Sequence, residues 1–249
     1  LRAHKSFAQK VFHEMLVRRF VSASYRTADT VVAVSRYTAE RIHEVFPNVR
    51  AQVILNAVDT DFFAPGDDDA SRSGAEGPFK LLFVGNLSRR KGVDLLPPLM
   101  QALGNDFELR YTSGRQGEAD LPSAANMRPM GRLSPEQIRQ EYRQCDALLL
   151  PTRLEGLPRV GMEALACGLP VIASDSSSLP ETVDHNETGM VCPTDDVAAM
   201  VAAARQLRDD PTKLRAMRLR ARAVAVERFC LRRLTGEFSA LLEKKSRTH

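Results

Sequence analysis

Between residues 79 and 228, short apolar runs alternate regularly with helical patterns. The apolar runs include FKLLFVG, FELRYTS, DALLLP and PVIAS, and helical patterns lie between and after them. Strands that alternate with helices pair in parallel, and helices cover both faces of the resulting sheet. The alternation therefore predicts an α/β fold with a parallel sheet, in which ligands bind beyond the carboxyl ends of the strands.

A segment without apolar periodicity divides the chain. Residues 64–78, APGDDDASRSGAEGP, are rich in Gly, Ser, Asp and Pro, which predicts a linker. Before it, TVVAVS, RYTAERIHEVF and AQVILN predict one strand, helix, strand unit after a basic helix at residues 8–28. The predicted organisation is part of one domain at 1–63, the linker, a parallel-sheet domain at 79–228 and a C-terminal helix at 229–249.

Composition narrows the functional classes. With 35 Lys and Arg against 31 Asp and Glu, the net charge of +4 is too small to indicate nucleic-acid binding, and it is compatible with anionic small molecules. The four cysteines are far apart and form no CxxC pair, so neither a zinc site nor a disulfide framework is expected, and a reducing cytoplasm fits. No apolar run approaches the length of about 20 residues that a membrane helix needs.

Two carboxylates, Glu155 and Glu163, flank a loop that contains Gly156, Pro158 and Gly161. Glu155 comes soon after the strand DALLLP, at the edge where ligands bind. Glu163 lies in a helix that is apolar on nearly all sides, where a lone carboxylate is costly unless donors such as a vicinal diol satisfy it. The loop leads into that helix N-terminus, whose free N–H groups favour a phosphate. The pattern predicts a diphosphate-binding loop between two hydroxyl-binding carboxylates; two solvated surface carboxylates are the alternative.

Several motifs resemble those of the retaining glycosyltransferases of family 4, which have the GT-B fold of two facing Rossmann-like domains. EGLPRVGMEALACGLPVIASD resembles the E-x7-E signature of that family. Further matches, in the family's order, are LLFVGNLSRRKGVDLL, LPETVDHNETGMVCPTDD, ADTVVAVSRYTAERI and VILNAVDTDFFAPG. The resemblance implies that residues 1–63 are the last part of the N-terminal acceptor domain and that residues 79–228 are the nucleotide-sugar donor domain.

The resemblance also implies a reaction and roles for individual residues. A sugar would pass from a nucleotide diphosphate sugar to an acceptor hydroxyl with retention of the anomeric configuration, and neither a metal nor a further cofactor is implied. Glu155 would contact the donor sugar near the reacting carbon, Glu163 would hold the ribose hydroxyls, and Lys91 would reach the diphosphate. The loop residues implied in donor binding are Gly156, Leu157, Arg159 and Val160.

The sequence departs from the commonest family pattern at Asn86, where an arginine often supplies another phosphate contact. Arg90 and Arg89 are the candidates to replace it. MGRLSPEQI matches the place where the family holds the base, so Arg132 is a candidate base contact, with a structural arginine as the alternative. RAHKS makes His4 a candidate for the catalytic histidine of the family's N-terminal domain, with a helix-entry residue as the alternative.

Three other functions compete with this interpretation. A glycosidase uses two carboxylates that face each other across a glycosidic bond, which the helix-borne Glu163 fits poorly. A GT-B epimerase acting on a nucleotide sugar is a nearer alternative. A third is a nucleotide-sugar-binding half that transfers little without a separate N-terminal half, because only 29 residues precede TVVAVS and the chain begins with Leu1.

The expected acceptor is a carbohydrate or a lipid-linked one, in the assembly of cell-envelope polysaccharide or glycolipid. Arg18, Arg19 and Arg26, with the tail EKKSR, indicate either a peripheral contact with an anionic membrane or a solvated basic face, and the second is favoured. The predicted location is the cytoplasm, with the inner face of the membrane as the alternative.

Overall fold

Residues 18–66, 77–113 and 124–246 are the part of the chain that the computed structural model describes. The chain divides into two units, Leu1–Ile54 and Leu55–His249. His4, the first part of the predicted N-terminal helix and residues 67–76 of the predicted linker lie outside the described residues.

The first unit contains the predicted strand, helix, strand element. Helix α1 spans Arg18–Thr27, strand β1 Val31–Ala33, helix α2 Arg36–Val45 and strand β2 Ala51–Val53. The two strands pair in parallel. Helix α2 begins after Ser35, whose hydroxyl accepts a hydrogen bond from the Thr38 N–H at 3.0 Å and so satisfies one of the free donors of the first turn.

The second unit is built on a parallel sheet that has six strands within the described residues. The strands are β3 (Phe79–Phe83), β4 (Phe107–Thr112), β5 (Met127–Gly131), β6 (Ala147–Leu150), β7 (Val171–Ser174) and β8 (Gly189–Cys192). Every residue of β6 and β7 is buried, as expected for central strands of a covered sheet. The prediction of an α/β fold with a Rossmann-like parallel sheet is confirmed.

The order of the strands reverses in the middle of this sheet. The order is β5-β4-β3-β6-β7-β8, so the chain builds one side from β3 to β5 and then returns to build the other side from β6 to β8. In such sheets a crevice opens at the carboxyl ends of the two strands where the order reverses, because their connections leave in opposite directions. The loops after β3 and β6 therefore flank the expected position of a ligand.

Seven described helices belong to the second unit. They are α3 (Leu96–Leu103), α4 (Pro135–Gln144), α5 (Arg159–Ala166), α6 (Leu179–Thr182), α7 (Val197–Asp209), α8 (Pro211–Arg228) and α9 (Leu231–Ser246). Ser134 and Gln137 form the predicted capping box of α4, with Pro135 at its first position. No helix in the described ranges combines the length and the apolar character that crossing a bilayer requires.

The boundary between the two units differs from the predicted one. It falls after Ile54, so residues 55–63 belong to the second unit rather than to the first. The guanidinium of Arg222 on α8 donates hydrogen bonds to the carbonyl oxygens of Thr60 and Phe63 at 2.8 and 3.0 Å. The linker at 64–78 stays a prediction, because residues 67–76 lie outside the described residues.

Candidate functional site

The loops after β3 and β6 bring Lys91, Arg90 and Glu155 together. A short 3-10 turn, Arg89–Lys91, follows β3, and Glu155 follows β6. Glu155 Oε1 lies 3.1 Å from Arg90 Nη1 and forms a closer ion pair with Lys91 Nζ. The side chains of Lys91 and Glu155 are only 15% and 13% exposed, so solvent screens their charges less than on an open surface. The structure thus joins three predicted site residues at the point where the strand order reverses.

Hydrogen bonds to backbone carbonyl groups hold these two loops together. The Arg153 N–H and the Thr152 hydroxyl both donate to the carbonyl oxygen of Arg90, each at 2.9 Å. The Arg90 guanidinium in turn donates to the carbonyl oxygen of Leu154 at 2.6 Å. The cationic turn and the loop that carries Glu155 are therefore one connected structure.

We expect Gly92→Ala to destabilise the protein more than Gly168→Ala. Both glycines have a left-handed backbone, with φ of 73° and 72°, which costs other residues about 1–2 kcal/mol. At Gly92 a Cβ would also lie 1.9 Å from the carbonyl oxygen of Pro151, whereas the atom nearest to a Cβ at Gly168 is 3.4 Å away. Denaturant unfolding should show an additional loss of about 2 kcal/mol for Gly92→Ala. Equal losses would mean that the β3 loop can move away from β6 at little cost.

Arg153 braces the same two loops through its side chain. Its guanidinium donates to both carboxylate oxygens of Asp94, at 2.8 and 2.9 Å, and to Asp195 Oδ1 at 2.7 Å. These bonds lower the pKa of the Asp94 carboxyl, with the hydrogen bond from Arg153 as the largest cause. Arg153 also donates to the carbonyl oxygen of Arg89. Sequence reasoning missed this residue, because its partners lie on two other loops.

Three consecutive serines after β7 hold the Glu155 loop from its other side. The Ser177 hydroxyl accepts a hydrogen bond from the Glu155 N–H at 2.9 Å. The Ser178 hydroxyl donates to the carbonyl oxygen of Glu155 at 3.2 Å. The Ser176 hydroxyl donates to the carbonyl oxygen of Arg153. Sequence reasoning also missed these residues.

Glu163 on α5 faces Tyr142 on α4. The Tyr142 hydroxyl donates to Glu163 Oε2 at 3.1 Å, and Arg159 Nη2 lies 3.6 Å from Glu163 Oε1. The Glu163 side chain is 12% exposed, and its burial raises the pKa of the carboxyl above its usual value. The pKa of Tyr142 is also raised, first by burial and then by the charge of Glu163. The carboxylate predicted to be buried without partners is only partly buried, and Tyr142 satisfies part of it.

The loop between the two carboxylates is anchored at its centre. Leu157 is only 5% exposed, and its carbonyl oxygen accepts a hydrogen bond from Asn56 Nδ2 at 3.5 Å. Gly156 and Arg159 on either side are exposed, and Val160 is half-buried. No described side chain caps the start of α5, which leaves the N–H groups of its first turn directed at the loop. Exposed backbone at a helix start is suited to binding an anion.

A cavity of about 450 Å³ opens beside β3 and β4. Its lining consists of Val84, Gly85, Asn86, Thr112, Arg132, Leu133 and Ile138. The Gly85 N–H donates to the Thr112 hydroxyl at 3.0 Å, and a Cβ at Gly85 would lie 3.8 Å from Lys91 Cε. The cavity therefore adjoins Lys91, and it contains two further predicted donor-binding residues, Asn86 and Arg132. The role of His4 stays a prediction.

Comparison with known families explains this arrangement. Residues 78–210, more than half of the chain, match the family model described as Glycosyl transferases group 1. This chain belongs to that family. Residues 2–62 match a second model, described as Glycosyltransferase Family 4.

Two curated relatives illustrate the range of the family. D-inositol 3-phosphate glycosyltransferase 1 from Catenulispora acidiphila is 30% identical over 222 residues, which cover 80% of this chain and 51% of that protein. GDP-mannose-dependent alpha-(1-6)-phosphatidylinositol monomannoside mannosyltransferase from Mycolicibacterium smegmatis is 30% identical over 237 residues, which cover 86% of this chain and 62% of that protein. This group 1 chain thus spans between half and two thirds of the length of these relatives.

Solved structures share the fold at lower sequence identity. A sucrose-phosphate synthase from Thermosynechococcus elongatus matches with a TM-score of 0.81 and 22% identity, over 93% of this chain and 62% of that one. HepE from Anabaena, in complex with UDP-glucose, matches with a TM-score of 0.80 and 20% identity, over 92% of this chain and 67% of that one. These neighbours are GT-B glycosyltransferases, so the predicted fold type is confirmed.

Proposed function

We propose that this chain carries the donor site of a retaining glycosyltransferase that transfers a sugar from a nucleotide diphosphate sugar to an acceptor hydroxyl. The observation that carries the proposal is the meeting of Lys91, Arg90 and Glu155 where the strand order of a parallel sheet reverses. That place is where sheets of this type bind ligands, and its charges match a diphosphate that carries a sugar.

We assign the binding of the diphosphate to Lys91, Arg90 and the first turn of α5. Lys91 and Arg90 outnumber the carboxylate they contact, so the cluster keeps a net positive charge. The first turn of α5 adds N–H groups that favour an anion. As the bond to the sugar breaks, negative charge develops on the leaving diphosphate. Cations held beside it stabilise that charge, Lys91 from a partly buried position and Arg90 from an exposed one. The proposal assigns this role to Lys91 and Arg90 rather than to a metal ion.

Glu155 is assigned to the donor sugar. Both cations contact the same oxygen, Oε1, and a carboxylate has about four acceptor positions, so acceptor capacity remains for a sugar hydroxyl. The ion pairs place this capacity directly beside the cations that bind the diphosphate, and in a donor the sugar is attached to that diphosphate. Glu155 would therefore orient the sugar, and the Lys91 ammonium would exchange part of its contact with Glu155 for a phosphate oxygen.

Glu163 is assigned to the ribose of the nucleotide. The Tyr142 hydroxyl uses one acceptor position of Oε2 and leaves the others for a pair of neighbouring hydroxyls. Asn86 and Arg132 in the adjoining cavity are the proposed contacts of the remaining nucleotide. The loop residues Gly156 to Val160 would close the site between the two carboxylates.

The acceptor is proposed to be a carbohydrate or a lipid-linked carbohydrate of the cell envelope. A relative that is named for its action on a phosphatidylinositol monomannoside supports this choice. We propose a cytoplasmic enzyme that meets such an acceptor at the inner face of the membrane. Its transfer activity would depend on an acceptor-binding domain that closes over the donor and excludes water.

Binding and product analysis test the proposed function. UDP-glucose and GDP-mannose are suitable probes. HepE was solved in complex with UDP-glucose, and one relative is named as dependent on GDP-mannose. We expect at least one of them to raise the melting temperature of the chain, since a ligand that binds only the folded state stabilises it. When an acceptor-binding domain is supplied as well, incubation with a labelled donor and membrane-extract acceptors should then give a product that keeps the anomeric configuration. Binding of neither probe would contradict the proposal, and an epimerised nucleotide sugar formed without acceptor would indicate an epimerase.

A further inference from the structure

Ser177 has a backbone conformation that serine rarely adopts. Its φ of 52° lies in the left-handed region, where a Cβ clashes with the backbone. The other described non-glycine residues with positive φ are Asn186 and Asp195, and both are of the types that tolerate this conformation. A glycine at residue 177 would adopt it without strain. The presence of a serine therefore needs an explanation in its side chain.

The Ser177 hydroxyl is the acceptor for the Glu155 N–H, at 2.9 Å. Among the described backbone hydrogen bonds outside helices and strands, this N–H has no carbonyl acceptor. The next residue, Ser178, is fully buried and donates to the carbonyl oxygen of Glu155 at 3.2 Å. Two neighbouring hydroxyls thus hold the two peptide groups of Glu155.

Fixing both peptide groups fixes the direction of the Cα–Cβ bond of Glu155. From this starting direction the Glu155 carboxylate reaches Arg90 and Lys91, which hold its end by ion pairs. The Ser177 hydroxyl makes this bond from a residue with a left-handed backbone. The strained conformation and the hydrogen bond are therefore two parts of one arrangement.

We propose that Ser177 is a positioning residue that aims the Glu155 carboxylate at the donor sugar. The inference rests on the proposed function, which takes Glu155 to contact that sugar. Ser177 acts through the Glu155 N–H, and the strained backbone is the means by which the hydroxyl reaches it. A glycine at residue 177 would keep the backbone conformation but would remove the hydroxyl that orients Glu155.

Ser177→Gly and Ser177→Ala separate the hydroxyl from the backbone. Both variants remove the acceptor, and only glycine relieves the left-handed strain. We expect both to bind UDP-glucose about tenfold more weakly than the unmodified chain, and to bind UDP unchanged. The melting temperature should be higher for Ser177→Gly than for Ser177→Ala. If Ser177 only supported packing, Ser177→Gly would bind UDP-glucose as tightly as the unmodified chain does, and the inference would be wrong.

Two further variants distinguish this inference from the proposed function. Glu155→Gln should weaken UDP-glucose binding at least as much as the Ser177 variants do; normal binding by Glu155→Gln would overturn the sugar role of Glu155 and this inference with it. A loss in Glu155→Gln without a loss in Ser177→Gly would overturn this inference alone. Asn186→Gly is the matched control, since it also replaces a residue of positive φ, here 65°, by glycine. Asn186 lies in the turn before β8, at the amino end of that strand, whereas Ser177 follows the carboxyl end of β7.

Hydrogen exchange tests the geometry without a ligand. If the Ser177 hydroxyl is the acceptor of the Glu155 N–H, that amide should exchange about tenfold faster in both Ser177 variants than in the unmodified chain. The same amide should be unaffected in Asn186→Gly. An unchanged exchange rate in Ser177→Gly would mean that the hydroxyl does not hold Glu155, and the inference would be wrong.

Discussion

Lys91→Ala is expected to weaken the binding of UDP by about 10- to 100-fold while the affinity for uridine changes little. The Lys91 ammonium is a point charge at the carboxyl edge of β3, so it acts on the phosphates and not on the nucleoside. Its side chain is only 15% exposed, so the interaction with a phosphate is less screened than at the surface. Calorimetry with UDP and an NMR titration with uridine measure the two affinities.

The neighbouring Arg89 supplies a matched control for Lys91. Arg89→Ala removes the same charge from the same turn, but the Arg89 side chain is 79% exposed and its nearest carboxylate is that of Asp94 at 3.8 Å. We expect this variant to bind UDP within about threefold of the unmodified chain, because exposed charges contribute little. Equal losses for UDP and uridine in Lys91→Ala would show that Lys91 supports the site as a whole. A similar loss in Arg89→Ala would indicate a general effect of charge.

Glu163→Gln is expected to lower the affinity for UDP-glucose about tenfold and to remove most of its dependence on pH. Ribose hydroxyls donate to the ionised carboxylate, so binding favours the deprotonated form. Burial raises the pKa of Glu163, with the hydrogen bond from Tyr142 and the charge of Arg159 acting in the opposite direction. In the unmodified chain the affinity should therefore fall as the pH falls through this raised pKa. Calorimetry from neutral to acidic pH measures the profile.

The pH dependence that Glu163 gives to the stability of the unliganded chain should have the opposite sign to the pH dependence of its affinity for UDP-glucose. Because the pKa of Glu163 is higher in the folded chain than in the unfolded one, the folded state binds its proton more tightly. The contribution of Glu163 to the free energy of unfolding therefore becomes more favourable as the pH falls through the raised pKa, and it is lost as the pH rises. Glu163→Gln should remove both effects, whereas the exposed Glu227 on α8 should leave both unchanged when replaced by Gln. A flat affinity profile in the unmodified chain would contradict the ribose role.

Strong local patterns account for what could be predicted of the fold. The strands β3, β4, β6 and β7 come from short runs that are apolar or alternate apolar with polar residues. The capping box of α4 comes from Ser134 and Gln137, so each of these elements depends on residues close together in the sequence. The edge strands β5 and β8 have weaker patterns and were not predicted. β5 contains Pro129, which an edge position tolerates, and β4 is its one neighbouring strand in the part of the chain that the structure describes. β8 has four residues and begins at Gly189, where a Cβ would lie 2.0 Å from the carbonyl oxygen of Val171.

In the candidate site, the sequence predicted the main residues but not their partners. Spacing after an apolar run placed Lys91 and Glu155 at the carboxyl edge of the sheet, and helix periodicity placed Glu163 on a buried helix. Their partners could not be read from the sequence. Tyr142 lies 21 residues before its partner Glu163, and its own segment shows only a helix pattern. Ser177 lies 22 residues after its partner Glu155, and its own segment shows only a turn pattern.

Local sequence was enough to predict strands β3, β4, β6 and β7, the capping box of α4 and the family that the motifs resemble. These properties depend on the periodicity and caps of single segments, which act over a few residues. The folded chain was needed to show that the strand order reverses between β3 and β6, that residues 55–63 pack with the second unit, and that one carboxylate contacts both Lys91 and Arg90. Such contacts depend on which elements pack side by side, and the packing is selected by the burial of the whole sheet and its helices rather than by any local stretch.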